Sequence, residues 1–209
     1  MSARDEMLRR VREAVGEAAA AGATSQTPPE HRRFGEHAPG SLPLMALLME
    51  RLVDYRAEVV RCGGDNDAIG EAVRDVLRRR RAPDVVVPSG LPEAWRPDGA
   101  VVDDGLDARA LDALDGVVTA SAVAIAETGT IVLDGSPDCG RRAISLVPDL
   151  HVCVVRVSDI VQTVPEGLAL LDPTAPLTFI SGPSATSDIE LDRVEGVHGP
   201  RTLVVVLAG

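Results

Sequence analysis

The segment from Glu127 to Thr130 places a carboxylate at a tight reversal between two apolar stretches. Gly129 can take the positive φ that such a turn needs, and the hydroxyls of Thr128 and Thr130 can bond a ligand or the turn itself. A partly buried glutamate there can have a raised pKa and act as a base or nucleophile. The pattern predicts Glu127 as a catalytic residue and its three neighbours as ligand-binding residues. The alternative is a glutamate that only hydrogen-bonds the turn backbone.

Residues 179–190 combine an apolar strand end, a loop of small residues and a predicted helix start. Ser187 and Glu190 have the S-x-x-E spacing of a capping box, which predicts that the helix begins there. Exposed amides at a helix start, together with hydroxyls and a bare glycine backbone, can form a cradle for an anion. The ligand-binding candidates are Ser181, Gly182, Pro183, Ser184, Thr186 and Asp188. A serine-rich turn that only caps a helix is the alternative.

A third polar segment, residues 195–201, holds a histidine between two glycines, just before the last apolar run. The flanking glycines leave the imidazole of His198 accessible, which suits a general acid or base. Glu195, at the start of the segment, is a further ligand-binding candidate. A loop histidine that only makes hydrogen bonds is the alternative. The remaining histidines are scattered along the chain, so we predict no multi-histidine metal site.

Two adjacent arginines, Arg141 and Arg142, follow a polar turn. Adjacent side chains point in different directions on any regular element, so one of them can face a pocket while the other is solvated. A guanidinium in a pocket can neutralise a carboxylate or a phosphate. Arg141 is therefore a ligand-binding candidate, with an ordinary surface arginine as the alternative.

The composition limits the classes of function. The chain has 209 residues and a net charge of −11, and only 2% of its residues are aromatic. An acidic surface repels phosphate backbones, and so few aromatic rings cannot stack bases, so nucleic-acid binding is not expected. The sequence lacks a long apolar run and a secretory signal, which predicts no membrane span and a cytoplasmic location. Its three cysteines form no CxxC pair, so no metal or iron–sulfur site is predicted on this chain.

The apolar pattern predicts helices and short strands in alternation from residue 43 onward. The helices are predicted at residues 4–21, 44–56, 67–80, 108–114 and 159–171, the last one capped by Ser158. The strands are predicted at residues 58–62, 85–87, 99–102, 117–119, 122–126, 130–133, 151–157, 177–181 and 202–207.

Such alternation is typical of an α/β fold with a mostly parallel sheet flanked by helices. Residues 1–40 are predicted to be an N-terminal helix and a proline-rich linker, and residues 41–209 to be the α/β domain. Ligands of parallel sheets collect at the carboxyl ends of the strands, so the loops that follow the strands are where we expect the site.

Two long runs carry a resemblance to a known family: AIAETGTIVLDGSPDCGRRAISLVPDLHVCVV and LTFISGPSATSDIELDRVEGVHGPRTLVVVL. They resemble the LUD-domain family, and within it the lactate utilization protein C branch. The resemblance is strong over residues 117–209 and weaker over residues 40–116. It implies a domain of the superfamily that holds coenzyme A transferases, ribose-5-phosphate isomerase and glucosamine-6-phosphate deaminase.

The resemblance also implies a pathway. The family's system oxidises L-lactate to pyruvate with partner subunits that carry iron–sulfur clusters, and this chain lacks cluster ligands of its own. The leading hypothesis is a component of that system that binds a small carboxylate or another anionic ligand on a face shared by Glu127 and the loop of residues 181–186, with His198 as the nearby proton donor or acceptor. Two alternatives stay open: a non-catalytic assembly or regulatory subunit, and a stand-alone enzyme acting on an acyl-coenzyme A or sugar-phosphate substrate. Whether the chain is itself an enzyme is left open by the sequence.

Overall fold

The computed structural model describes residues 3–15, 32–187, 193–195 and 199–209. The chain divides into two compact units, residues 1–32 and residues 33–209. In the first unit, α1 (Ala3–Val15) confirms the predicted N-terminal helix as far as Val15; residues 16–21 lie outside the described ranges. Arg9 pairs with Glu6 and Glu13 along this helix at the three- and four-residue spacings that stabilise an exposed helix. The larger unit begins at Arg33.

The larger unit contains four further helices and twelve strands among the described residues. The helices are α2 (Leu42–Asp54), α3 (Asn66–Arg80), α4 (Ala108–Asp112) and α5 (Val164–Ala169). The first strands are β1 (Glu58–Cys62), β2 (Val85–Val87), β3 (Val101–Val102), β4 (Gly116–Thr119), β5 (Val123–Ile125) and β6 (Thr130–Leu133). The others are β7 (Leu150–Arg156), β8 (Ile160–Val161), β9 (Thr178–Ile180), β10 (Ala185–Ser187), β11 (Arg193–Glu195) and β12 (Thr202–Ala208).

The main sheet has six strands in the order β1-β12-β7-β4-β2-β3. All of its neighbouring pairs are parallel, which confirms the predicted α/β class with a parallel sheet. Its inner strands are mostly apolar and buried, as β2 (all three residues buried) and β12 (six of seven residues buried) show. Strands of this kind need cover on both faces, because neither set of alternating side chains can face water.

Different elements cover the two faces of the main sheet. On one face α3 packs Ile69, Val73 and Val76 against Val152 and Val204. Asp65 caps this helix by accepting a hydrogen bond from the Ala68 amide at 2.9 Å. On the other face, α2 and a second sheet pack against the side chains that point the opposite way along β7 and β12. Within the described ranges, no helix is both long and apolar enough to span a bilayer.

The second sheet has the order β8-β5-β6-β9, and the predicted strands β5, β6 and β9 are all present in it. Strands β5 and β6 form an antiparallel hairpin, and β6 pairs antiparallel with β9, so that Ile131 lies opposite Ile180. This pairing sets the turn after β5 beside the loop after β9.

The predicted helix over residues 159–171, capped by Ser158, is wrong over its first half. Ile160 and Val161 instead form β8, which pairs with β5, and α5 begins only at Val164. The helix starts there because Thr163 and Glu166 form a complete capping box, and Pro165, which has no amide hydrogen, occupies its first turn.

The predicted helix start at Ser187 is also wrong. Ser187 belongs to β10, where it lies opposite Arg193 of β11 in an antiparallel pair. Asp188 and Glu190 lie outside the described residues. A strand end lacks the group of free amides that begins a helix, so these amides are not available at Ser187 to bind an anion.

Candidate functional site

The turn between β5 and β6 has the conformation that its glycine predicts. Gly129 has φ of +59°, and its amide hydrogen-bonds the Ala126 carbonyl at 3.3 Å. A Cβ atom at this position would stand 2.6 Å from Cβ of Arg51 on α2. The missing side chain of Gly129 therefore lets α2 pack closely on the turn, so this part of the glycine backbone faces protein.

A row of hydroxyls joins this turn to the loop after β9. Thr128 Oγ1 lies 2.7 Å from Thr130 Oγ1, which lies 2.8 Å from Ser181 Oγ. Thr130 is buried, so its hydroxyl depends on these partners. The structure thus brings together two polar segments that lie about fifty residues apart in the sequence, as the antiparallel β6–β9 pair requires.

Glu127 turns toward β8. The Gln162 side-chain amide donates to Glu127 Oε1 at 3.0 Å, and the Glu127 amide donates to the Gln162 carbonyl at 3.1 Å. Gln162 Oε1 in turn accepts from the amides of Glu36 and His37 at 2.7 and 2.9 Å. These contacts anchor the segment before α2. The catalytic role of Glu127 stays a prediction.

A pocket of about 240 Å³ lies on the other side of Ser181. Three of the candidate ligand-binding residues, Gly182, Pro183 and Ser184, line it from the loop after β9, and their role in ligand binding stays a prediction. Gly199 and Leu203 line it from β12 and the residues before it. Leu203 is the second residue of β12, so this pocket opens at the amino ends of β7 and β12. The expectation that a site would lie at the carboxyl ends is wrong for this pocket.

His151 forms part of the pocket wall, and we did not single it out from the sequence. It is the second residue of β7 and is 1% exposed, and its Nε2 lies 2.8 Å from Thr119 Oγ1. Burial lowers the pKa of His151 from 6.5 to about 4, so the ring is neutral at pH 7. In the sequence it appears only as one imidazole in an otherwise mostly apolar strand, a pattern that indicates burial but no ligand site.

Among the described residues, the pocket wall combines polar and apolar side chains and contains no charged one. Ser145, Ser181 and Ser184 contribute hydroxyls, and Leu146 and Leu203 contribute apolar surface. A ligand here meets hydrogen-bonding groups, while a positively charged partner is not among the described lining residues.

Arg141 was expected to supply that charge, but the structure places it against Asp103. Its Nε and Nη2 donate to the two carboxylate oxygens of Asp103 at 2.6 and 2.8 Å, and Nη2 also donates to the Leu106 carbonyl. The Arg141 guanidinium holds the pKa of the Asp103 carboxyl below its usual range. The pair connects the loop after β3 to the turn after β6.

We expect Arg141→Gln to lower the free energy of unfolding at pH 7 by about 1–2 kcal/mol, because the Asp103 side chain is largely buried and loses a bidentate hydrogen-bond donor. A carboxylate with a lowered pKa stabilises the fold above the unfolded-state pKa, and this contribution is lost as the pH falls through the folded-state pKa. Urea unfolding at pH 7 and about pH 3 measures both effects: the difference from the native chain should shrink at the lower pH. Arg142→Gln is the matched control, and an equal loss in both variants would contradict the assignment.

The remaining candidates fall partly outside the described residues. Thr186 lies in β10 opposite Val194, and Glu195 ends β11 opposite Ala185, so their backbones form one antiparallel ribbon. Asp188 and His198 lie outside the described residues. The Ser184 amide donates to the Pro200 carbonyl at 2.8 Å, which ties the start of this ribbon to the residues that precede β12.

Comparison with known proteins gives consistent matches. The model of the LUD domain matches residues 94–208. A lactate utilization protein C from Deinococcus radiodurans is 47% identical over 169 residues, which is 77% of each chain. A lactate utilization protein C from Bacillus subtilis is 28% identical over 189 residues, 78% of each chain. A crystal structure of a duf162 family protein from Deinococcus radiodurans superposes with a TM-score of 0.67 at 40% identity, covering 80% of this chain and 97% of that one.

Proposed function

The chain belongs to the LUD-domain family, and from that premise we propose that it is a component of a lactate utilization system that binds a small anionic metabolite. The role in lactate utilization is supported by the relatives named lactate utilization protein C. The proposed ligand class is that of the lactate-to-pyruvate reaction, a short carboxylate. Kinship with the coenzyme A transferase superfamily is part of the same proposal.

The observation that carries the ligand proposal is the pocket beside Ser181. Its volume of about 240 Å³ suits a molecule of a few carbon atoms with some water, since one water occupies roughly 30 Å³ of liquid. The Ser181 hydroxyl lines the pocket and lies 2.8 Å from Thr130 Oγ1, which can itself be the donor in that contact, so the Ser181 hydroxyl is a suitable donor for a carboxylate oxygen. The apolar side chains of Leu146 and Leu203 give a methyl group a place to pack.

In this proposal Glu127 and His198 are the candidate acid–base residues. The support for Glu127 is indirect: its turn is joined to the pocket by the Thr128, Thr130 and Ser181 hydroxyls. The support for His198 is its place in the sequence, just before Gly199, which lines the pocket.

The proposed partners are subunits that carry the iron–sulfur clusters and move the electrons. The described surface offers apolar side chains for docking: Val164 and Leu168 on α5 and Leu170 directly after it are 39%, 47% and 66% exposed. A subunit that only assembles the partners is the second candidate function, and this exposed apolar helix favours it.

The test combines binding with reconstitution. The chain is titrated calorimetrically with L-lactate, pyruvate and inorganic phosphate, alone and with the iron–sulfur subunits, and lactate-dependent reduction is then measured. We expect a short carboxylate to bind and Ser181→Ala to weaken it by roughly tenfold, the usual result of losing a hydrogen bond to a charged group. If no anion binds under either condition, and Leu168→Asp abolishes assembly while Glu127→Gln leaves turnover intact, the assembly function replaces this one.

A further inference from the structure

His151 heads a row of hydrogen bonds that runs from the pocket into the core. Its Nε2 lies 2.8 Å from Thr119 Oγ1, which lies 3.7 Å from Cys153 Sγ. Cys153 Sγ lies 3.8 Å from the Ala120 carbonyl oxygen. Thr119 and Cys153 are fully buried, so water cannot substitute for a missing partner.

The last acceptor gives this row a direction. The Ala120 carbonyl can only accept, so the Cys153 thiol donates to it, and the Thr119 hydroxyl donates to the sulfur. The Thr119 oxygen is then left to accept, and the hydrogen it accepts is the one on Nε2 of His151. In a neutral imidazole the other nitrogen carries no hydrogen, so Nδ1 is an acceptor.

Nδ1 has no hydrogen-bond partner among the described residues, while the ring lines the pocket. Burial keeps the ring uncharged, with a pKa of about 4, so Nδ1 keeps its lone pair throughout the neutral range. Among the described residues, Ser41 Oγ is the only fully buried side-chain nitrogen or oxygen without a partner, so Nδ1 is within reach of a ligand in the pocket and can accept a hydrogen bond from it.

We propose that His151 is a specificity-determining residue whose Nδ1 accepts a hydrogen bond from a ligand hydroxyl, so that the pocket selects a 2-hydroxy acid over the matching 2-oxo acid. This inference rests on the proposed function and names the ligand class of the same pocket. A 2-oxo acid has no hydrogen to donate, so the lone pair of its carbonyl oxygen would face the lone pair of His151 Nδ1 and the two would repel. A site that hydrogen-bonds a substrate group strongly rejects an analogue that lacks that group, because its own polar atom is left unpaired.

Thr119 is the positioning residue in this arrangement. It is fully buried and is not part of the pocket wall, so it acts on the ligand only through the imidazole. Thr119→Val removes the hydroxyl that fixes the hydrogen on Nε2. The ring can then carry its hydrogen on Nδ1 and present a donor to the pocket. The hydroxyl oxygen of a 2-hydroxy acid and the carbonyl oxygen of a 2-oxo acid can both accept from that donor, so the preference between the two acids would be lost.

The experiment measures ligand preference and the tautomer separately. Calorimetric titration with L-lactate and pyruvate is done on the native chain, Thr119→Val and Ser121→Ala. The last variant is the matched control, because Ser121 lies two residues after Thr119, the last residue of β4, and donates its hydroxyl to the Val154 carbonyl at 3.1 Å. Long-range proton–nitrogen NMR spectra, with His151→Gln to assign the signals, report which ring nitrogen carries the hydrogen. Thermal unfolding verifies that each variant is folded.

We expect the native chain and Ser121→Ala to bind L-lactate about tenfold or more tightly than pyruvate, with Nδ1 unprotonated. Thr119→Val should lose that preference and shift the nitrogen signals. Equal binding of the two acids by the native chain, or a hydrogen on Nδ1, overturns this inference while the proposed function stands. Binding of neither acid overturns both. An unfolded Thr119→Val leaves the decision to the native chain's two measurements.

Discussion

Gly182→Ala is expected to lower the free energy of unfolding by about 2–4 kcal/mol, the combined cost of a left-handed non-glycine residue and an overpacked contact. Gly182 has φ of +86°, and a Cβ atom there would stand 2.6 Å from Cβ of Tyr55 and 2.9 Å from its carbonyl oxygen. A carbonyl oxygen is part of the backbone and cannot rotate away, so either the end of α2 or the loop after β9 must move. Urea unfolding at pH 7 measures the loss.

Gly99→Ala is the control, since Gly99 has φ of +77° but nothing within 4 Å of a built Cβ. It carries the conformational cost alone, about 1 kcal/mol. The difference between the two variants therefore isolates the contact between Gly182 and the end of α2. Equal losses of unfolding free energy in the two variants would show that the end of α2 moves away from the added methyl group at no cost. The loop of Gly182 also lines the pocket, so ligand affinity should fall with stability in Gly182→Ala but not in Gly99→Ala.

The parallel sheet could be predicted because its signal is local. Buried parallel strands must be apolar on both faces, so runs such as Val85–Val87 and residues 203–207 indicate strands without knowledge of their neighbours. Strand order was not predictable in the same way. That β12, at the chain's end, lies between β1 and β7 follows from long-range packing, which no window of residues contains.

The errors came from segments where a tertiary contact competes with a local pattern. Residues 159–171 have enough apolar residues for a helix, but Ile160 and Val161 gain more by pairing with β5. The T-x-x-E pattern formed by Thr163 and Glu166, together with Pro165, would have predicted the helix start correctly. At Ser187 the S-x-x-E pattern predicted a helix start that the structure does not have, because Ser187 pairs with the antiparallel strand β11.

In the candidate site too, some features could be predicted from the sequence and others depend on long-range contacts. The two polar loops at Thr130 and Ser181 were predicted to share a face, and their hydroxyls lie 2.8 Å apart. Arg141 was also predicted to bind the ligand. Its partner in the structure is Asp103, which is 38 residues away in the sequence, so the pairing could not be predicted from nearby residues. His151 was overlooked because a histidine inside an apolar strand carries no motif. Its burial and its place in the pocket become visible only when β4 and β7 are side by side.

The buried imidazole of His151 should give the fold a pronounced pH dependence between about pH 6.5 and pH 4. The unfolded chain binds a proton on this ring near pH 6.5, whereas the folded chain does so only near pH 4. Between these values the unfolded state holds more protons, so stability falls as the pH falls. The free energy of unfolding should decrease by about 1.4 kcal/mol per pH unit in this window, or roughly 3 kcal/mol in total.

The carboxyl groups with lowered pKa values, Glu166 among them, act only at the acid end of that window and below it, so the slope above about pH 5 reports His151. Asp103 and Asp149 have lowered pKa values through their arginine partners, so their contributions are lost only at a more acid pH. Burial raises the pKa of Cys153 to about 12, far above the range. Urea unfolding of the native chain, His151→Gln and His37→Gln from pH 7.5 to about pH 4.5 tests the assignment. The slope should vanish in His151→Gln and persist in His37→Gln, because His37 is exposed. A native chain equally stable across this range would show that the folded and unfolded states take up the proton at the same pH, and this would contradict a lowered pKa for the buried ring.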